Sequence, residues 1–505
     1  MSIRVYNTLS RTKEPFEPVR AGQVGIYLCG PTVYMNSHIG HGVGPVIFDT
    51  IKRYLTYRGY RVTLVINITD IEDKLIDRAR KENTTVKALA EAVTENYFAN
   101  LRRLGVYEGV DHWPRATEYV AEIIEYVQRI VENGYGYVSD GDVYFDINKL
   151  SDYGRLSNRK LEEMQAGARV APGEKKRNPM DFVLWKSSKP GEPSWESPWG
   201  PGRPGWHIEC SVMSNRLLGE QFDIHGGGME LIFPHHEDEI AQSVAATGKQ
   251  PVKYWLHNGL LKLSGEKMSK SLGNIVTMDD LFTKFDPELI RFFLLSTHYR
   301  RPVDFSDDNI LKVGTGLEQF YRLFERIERI TGVLVYAIPP CPARPKLLAE
   351  VWGRFEEAMD DDFNTAGAIA AMFDAVGIVN AFIDERGLDT GGSVSDSEVK
   401  ELLDLVGAIR FLGSLLGVFE KPRQSERMNQ IRRMKTTGLA ELCRELTGTE
   451  TDGKTPEDWI QALIDARAQA RREKDFARGD AIRKKLSELG ITLEDRAGGT
   501  TWSFK

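Results

Sequence analysis

Cysteine is scarce in this chain: Cys29, Cys210, Cys341 and Cys443 are the only four in 505 residues. That excludes a disulfide framework and leaves buried, metal-binding or reactive thiols. No CxxC pair and no HExxH run is present, so the most specific local signals for zinc are missing. Positive charge is not in excess. A net charge of -7 excludes a wholesale basic coat for nucleic acid, though not local phosphate-binding patches. No run of roughly eighteen apolar residues occurs, so no transmembrane helix is expected. The segment "MSIRVYNTLSRTKEPFEPV" lacks the apolar centre of a signal peptide, and a cytoplasmic location is the expectation. No internal repeat is found.

What is present points to several domains with an α/β start. "QVGIYLC" (23–29) is a short apolar run that reads as a buried strand. "GPVIFDTIKRYLTYRGY" follows, with Ile47, Ile51, Tyr54 and Leu55 at helical spacing and Gly59 as its stop. "RVTLVINIT" (61–69) reads as a second strand. Strand, helix and strand at this distance predict a βαβ unit, a parallel sheet, and a ligand crevice at the carboxyl ends of its strands, where Cys29 falls. Helical segments follow between 84 and 135. The stretch 151–206, rich in Gly, Pro, Ser and Lys in its later part, reads as an irregular insertion, and Trp185, Trp195 and Trp199 suggest that it packs onto something. From 280 to 420 the pattern is mostly helical and predicts a bundle. After a break at 420–430 comes a last module. Its segment 466–486 concentrates Arg467, Arg471, Arg472, Lys474, Arg478, Arg483, Lys484 and Lys485, which by charge alone reads as a solvated helix face.

Three stretches carry chemistry. In "DIHGGGMELIFPHHEDEIAQS" (223–243), His235 and Glu239 lie at i, i+4 and share one helix face. They offer two corners of a metal site, or else form an exposed His–Glu pair. Cys210 in "GWHIEC" and Cys29 at a strand end can supply two more corners, a Cys, Cys, His, Glu set suited to zinc. Cys341 and Cys443 read as structural. "HIGH" (His38 to His41) precedes a helix expected to start near Pro45, where free N–H groups and the dipole suit phosphate. "SGEKMSKSLGN" (264–274) sets Lys267 and Lys270 between Gly265 and Gly273, so that two ammonium groups can neutralise a triphosphate.

"HIGH", followed over two hundred residues later by "KMSKS" on a βαβ start, resembles the class I aminoacyl-tRNA synthetases. The finer resemblance is to the cysteinyl-tRNA synthetase family. It is carried by "YLCGPTVY", "NITDIEDK", "NPMDFVLWK", "PGRPGWHIECS", the 223–243 stretch, "GEKMSKSLGN", "DDDFNTAGAIA" and "GITLEDRAGGTTW", in order along nearly the whole chain. The resemblance implies ATP- and Mg²⁺-dependent activation of L-cysteine to cysteinyl-adenylate and transfer to the terminal adenosine of tRNA(Cys). It implies one Zn²⁺ on Cys29, Cys210, His235 and Glu239, and a cysteine pocket lined by Thr69, Trp206 and His225. His38, His41, Lys267 and Lys270 are implied for ATP. His236, Glu237 and Asp238 are then expected behind the ligands or in solvent. The chain departs from the family's look at Val43 and Met35, which puts in doubt any contact made by the residues more usual there.

The expected architecture is α/β. A Rossmann-like doubly wound parallel sheet (1–120 and 206–310, the latter with the KMSKS loop and a stem-contact region) is split by a connective insertion for acceptor-end contacts (121–205). An all-α helical bundle (311–425) that binds tRNA and a small C-terminal anticodon-binding module (426–505) follow. In that module the basic run resembles a tRNA-contacting tail, with Arg471, Arg472, Arg483 and Lys484 as candidates. A monomer is implied. Serine differs from cysteine by one atom, and a simple pocket separates near-isosteres poorly. A zinc ion that prefers thiolate supplies the missing discrimination, so no editing domain is expected. A ligase coupling cysteine to a small amine would lack the basic C-terminal module. A zinc hydrolase needs an open coordination site and a general base. A non-catalytic tRNA-binding paralogue sits poorly with two intact signatures.

Overall fold

The computed structural model describes residues 2–159, 175–263, 266–267, 276–390, 394–422, 439, 442–447, 456–488, 491–496 and 499–504. The chain forms two units, one of residues 1–386 with 394–420 and one of 387–393 with 421–505.

In the first unit a hairpin of β1 (Arg4–Asn7) and β2 (Thr12–Pro15) precedes β3 (Gln23–Leu28), α1 (Gly40–Tyr57) and β4 (Arg61–Ile66). The apolar strands predicted at 23–29 and 61–69 pair in parallel, buried because helices cover the sheet. The helix starts at Gly40, not near Pro45, so the HIGH turn is its first turn. Pro45 lies inside α1, and the chain leaves the helix at Arg58 and turns at Gly59, with φ +92°. Next come α2 (Asp73–Lys81), α3 (Val86–Arg103), which Thr85 caps by accepting from the Ala88 N–H, and α4 (Val120–Glu132).

The insertion is more ordered than its composition suggests. β5 (Gly136–Ser139), β6 (Asp142–Phe145), β7 (Phe182–Ser187) and β8 (Gly202–Pro204) form an antiparallel sheet. Phe145, Leu184 and Trp185 of this sheet share a core with Ile123 and Val127 of α4. Trp195 and Trp199 pack against the same core. The strands of the later part are short and interleaved with Pro and Gly, so no alternating run marked them in the sequence.

The chain returns through α5 (Trp206–Leu218), β9 (Phe222–Gly228), α6 (Glu237–Thr247) and β10 (Val252–Asn258). The parallel sheet reads β10-β9-β3-β4. Its order reverses between β3 and β9, and a doubly wound sheet opens its ligand crevice at the carboxyl ends there. α5 and α6 have two buried faces. Ile208, Val212, Ala241 and Ala245 join the insertion core, whereas Cys210, Met213 and Ile240 join Tyr27, Val65 and Trp255 of the parallel sheet.

β11 (Leu261–Leu263) pairs with β12 (Glu266–Lys267) and β13 (Val303–Phe305), with α7 (Met278–Lys284) and α8 (Pro287–Leu295) between. Pro at N1 and Asp286 as cap open α8. A helical bundle completes the unit: α9 (Asp307–Thr331), α10 (Ala349–Asp360), α11 (Thr365–Arg386) and α12 (Asp396–Leu415). α11 reaches a mean hydropathy of 1.8, long and apolar enough by length and composition to cross a membrane. Ala, Ile, Val, Met and Phe raise that average, while Gly367, Asp374, Gly377 and Asn380 interrupt the apolar run, and Ile369, Met372, Val376 and Ile383 are buried, as in the core helix of a bundle. α11 packs on α9, α10 and α12.

The second unit holds a helical turn at 442–447, α13 (Pro456–Arg472), α14 (Phe476–Glu488) and a hairpin of β14 (Ile491–Arg496) and β15 (Gly499–Phe504). The basic run thus spans two helices, with Lys474 at φ +62° between them. Arg467 is buried, not on a solvated face, while Arg471, Arg472, Arg483 and Lys484 are exposed.

Candidate active site

Cys29 follows β3, and its N–H donates to the Gly226 carbonyl of β9 at 3.1 Å, across the point where the strand order reverses. The loop behind it lies close to the end of β4: a Cβ on Gly30 would sit 1.7 Å from the Asn67 carbonyl oxygen. Cys210 comes from α5. His235 lies in the irregular turn Ile232–His236 that leads into α6, which carries Glu239.

These four side chains meet. Cys29 Sγ is 3.7 Å from Cys210 Sγ and 3.5 Å from Glu239 Oε1, and His235 Nε2 is 3.2 Å from the same oxygen. All four donor atoms lie within 4.8 Å of one another. A tetrahedral zinc with Zn–S of about 2.3 Å and Zn–N or Zn–O of about 2.0–2.1 Å sets its ligands roughly 3.3–3.8 Å apart. A second set, Cys29, His225, His236 and Glu239, is equally compact. There His225 Nε2 approaches Glu239 Oε2 at 2.8 Å, a hydrogen-bond distance rather than a tetrahedral edge. The first set also brings two thiols, the softer donors. It is the better metal shell.

The surroundings orient these donors. His235 Nδ1 lies 2.7 Å from His207 Nδ1, His207 Nε2 lies 3.2 Å from Asp238, and Asp238 accepts from the Tyr153 hydroxyl at 2.5 Å. On the other side His236 Nε2 faces Cys29 Sγ at 3.3 Å, and its Nδ1 meets His257 Nε2 at 2.7 Å; His257 Nδ1 in turn meets the Thr8 hydroxyl at 2.8 Å. Burial holds His235 and His236 far below the usual imidazole range and lowers His207 and His257 to about 3. The imidazoles are therefore neutral, the state a metal requires. Burial also pushes the Cys29 thiol well up, with Cys210 and Glu239 adding to the rise. A bound cation reverses that shift.

His236, Glu237 and Asp238 are all buried, so none is solvated. Glu237 accepts from the Leu156 and Ser157 N–H groups at 3.2 and 2.8 Å, because the 153–157 segment covers the helix. The candidate pocket residues border the same cluster. The Thr69 hydroxyl donates to buried Glu209 at 2.8 Å, and the half-exposed Trp206 ring lies 4.4 Å from His235. His225 stacks on Trp255, and among the described residues its Nδ1 has no hydrogen-bond partner. Sequence reasoning missed Glu209, His207, His257 and Tyr153. The "WHIEC" run held two of them, but nothing local signalled their burial.

His38 and His41 stack at 3.8 Å at the start of α1. Ser37 accepts from the Met278 N–H at 2.9 Å, and His38 bridges to Thr277, so the HIGH turn adjoins the segment that follows the lysine loop. Lys267 occupies β12 opposite Lys262. Lys270 lies outside the described residues. Val43 is buried in α1. In the second unit, Arg483 and Lys484 line an open cavity of about 430 Å³ on α14, while Arg471 and Arg472 end α13.

Known proteins match this arrangement along the chain. Residues 15–315 fit the class I tRNA synthetase (C) catalytic domain, 354–420 the DALR domain, and 457–502 the cysteinyl-tRNA ligase anticodon binding domain. A cysteine–tRNA ligase of Syntrophotalea carbinolica is 48% identical, with both chains covered in full. One of Thermococcus onnurineus is 44% identical over 99% of each. Among solved structures, methionyl-tRNA synthetase of Mycobacterium tuberculosis bound to methionyl-adenylate aligns with a TM-score of 0.60 at 18% identity, covering 78% of this chain and 91% of that one. This last likeness speaks for the fold alone. Full-length identity and three consecutive family domains together mean that the chain belongs to the cysteine–tRNA ligases, class I aminoacyl-tRNA synthetases that use ATP to join their amino acid to tRNA.

Proposed function

We propose that this ligase selects L-cysteine through one zinc ion held by Cys29, Cys210, His235 and Glu239. The observation that supports it best is the meeting of those four donors at the switch point of the parallel sheet. Zinc bound there would supply a site that prefers thiolate to hydroxyl. Each 1.4 kcal/mol of that preference is about tenfold in selection against serine. Thr69, Trp206 and His225 border the pocket, and Glu209 fixes the Thr69 hydroxyl.

The adenylation step needs no side-chain nucleophile, because the cysteine carboxylate itself attacks the α-phosphorus of ATP–Mg²⁺ and pyrophosphate leaves. The chain's own groups position and neutralise. His38 and His41 stand at the positive end of α1, and Lys267 and Lys270 bring ammonium groups to the phosphates. The cysteinyl group then passes to the 3'-terminal adenosine of tRNA(Cys), which Arg471, Arg472, Arg483 and Lys484 help to hold. The finer division into catalytic halves, connective insertion, bundle and anticodon module is part of the same reading, as are a monomeric state and a cytoplasmic location.

Cysteine-dependent ATP–pyrophosphate exchange followed by charging of tRNA(Cys) tests it. Exchange with cysteine, more than about 100-fold weaker exchange with serine, and charging are expected. Absent exchange sinks the reading, and exchange without charging points to a small-amine ligase instead.

A further inference from the structure

We propose that a cavity of about 630 Å³ between the β1–β2 hairpin, the 296–301 turn and the start of α11 is a phosphate-binding site, one that takes a backbone phosphate of the bound tRNA. The inference rests on the ligase reading, which supplies the polyanion.

The cavity is lined by Lys13, His298, Arg300 and Arg301 against a single carboxylate, Asp361. Its charges do not balance. Lys13 pairs with Asp361 at 2.7 Å. Arg300, itself a lining residue, donates to Asp362 at 2.6 Å. Asp362 is fully buried and already committed, because it also accepts from the Tyr6 N–H and the Tyr299 hydroxyl, each at 2.8 Å, and has His298 at 3.5 Å. Two carboxylates therefore serve Lys13 and Arg300, and Arg301 is left over. Among the described residues no hydrogen bond or ion pair engages its exposed guanidinium.

The backbone adds to the same field. Ala366 and Gly367 of the cavity wall lie in the first turn of α11, a 22-residue helix whose positive end favours an anion. A planar guanidinium matches phosphate geometry better than an ammonium does. The volume exceeds what one phosphate group fills, so an adjoining ribose fits as well. The cavity shares no residue with the metal cluster or the HIGH turn, so ATP is not its natural occupant. RNA and a free phosphate both carry the required chemistry.

The full chain with Arg301→Gln, and with Arg301→Lys as the conservative variant, separates these cases. For a tRNA(Cys) transcript titrated at several salt concentrations, Arg301→Gln should bind about three- to tenfold more weakly. The slope of log affinity on log salt should be shallower by about 1, with Arg301→Lys keeping the slope. Cysteine-dependent pyrophosphate exchange, measured without tRNA, should stay at the wild-type rate. Unchanged affinity and slope in Arg301→Gln overturn the site while wild-type exchange and charging leave the ligase reading standing. Calorimetric binding of inorganic phosphate alone that Arg301→Gln abolishes, with tRNA binding untouched, assigns the cavity to free phosphate and overturns the tRNA contact. A wild-type chain that neither exchanges nor charges removes both readings together.

Discussion

His235 has two ring nitrogens, and both are engaged: Nε2 toward Glu239 and Nδ1 toward His207. With Nε2 on a metal, the proton sits on Nδ1 and is donated to His207, whose own proton goes to Asp238. The tautomer of the ligand is thus set two residues away. His207→Ala should weaken zinc binding about 10- to 100-fold, read by chelator competition; an unchanged zinc affinity would show that the chain of rings has no such role. Cys210→Ser should bring metal content well below one per chain and raise KM for cysteine. If both hold at wild-type values, the alternative set with His225 and His236 is the true one. Part of this site was legible in the sequence. The spacing of His235 and Glu239 placed two corners on one face, and Cys29 at a strand end with Cys210 offered two more, but 181 residues separate the two thiols and only the family resemblance made the four a single set. Glu237 and Asp238 read as lying behind the ligands or in solvent, and burial decides for the first, which the sequence left open because the segment that covers them is remote.

Helix α1 shows how one element ties the catalytic sheet to the bundle. Asp49 on α1 is buried and accepts from Arg53 at 2.8 Å and from Arg291 of α8. Arg291 is fully buried too. Its Nε donates to the Leu416 carbonyl at 2.7 Å, just past α12, and its Nη1 to the Leu104 carbonyl at 3.0 Å. A Cβ on Gly417 would lie 2.2 Å from the guanidinium carbon, and its φ of +70° is a second reason for glycine there. Arg291→Leu should destabilise the chain by about 3 kcal/mol, because Asp49 is left buried with Arg53 as its remaining ion-pair partner. Chemical denaturation measures this, and a loss under about 1 kcal/mol would contradict it. At this scale the sequence spoke clearly where burial is periodic. β3, α1 and β4 were legible because apolar runs and helical spacing recur there. The antiparallel sheet of the insertion was not, because β8 is three residues long and its partners are set by distant pairing.

Across the whole molecule, neutral buried histidines make stability depend on acid. His207 and His257 titrate near pH 3 in the folded state and near 6.5 when unfolded. Below about pH 6.5 the unfolded chain takes up these protons and the folded chain does not. Stability present above that pH is therefore lost as pH falls toward 3, by about 1.4 kcal/mol per pH unit for each ring. The metal-free protein should show a falling Tm between pH 7 and 5, and a level Tm across that range would refute the assignment. The doubly buried helices α5 and α6 carry a different consequence. They are the shared wall of two cores, with Cys210 and Glu239 toward the parallel sheet and Ile208 and Ala241 toward the insertion. A shift of the insertion is then also a shift of two of the proposed metal donors. By reciprocity, any ligand of the insertion that changes zinc affinity by some factor must have its own affinity changed by zinc by that same factor. On the proposed reading, the choice of amino acid and the grip on the acceptor end would be coupled through two rods.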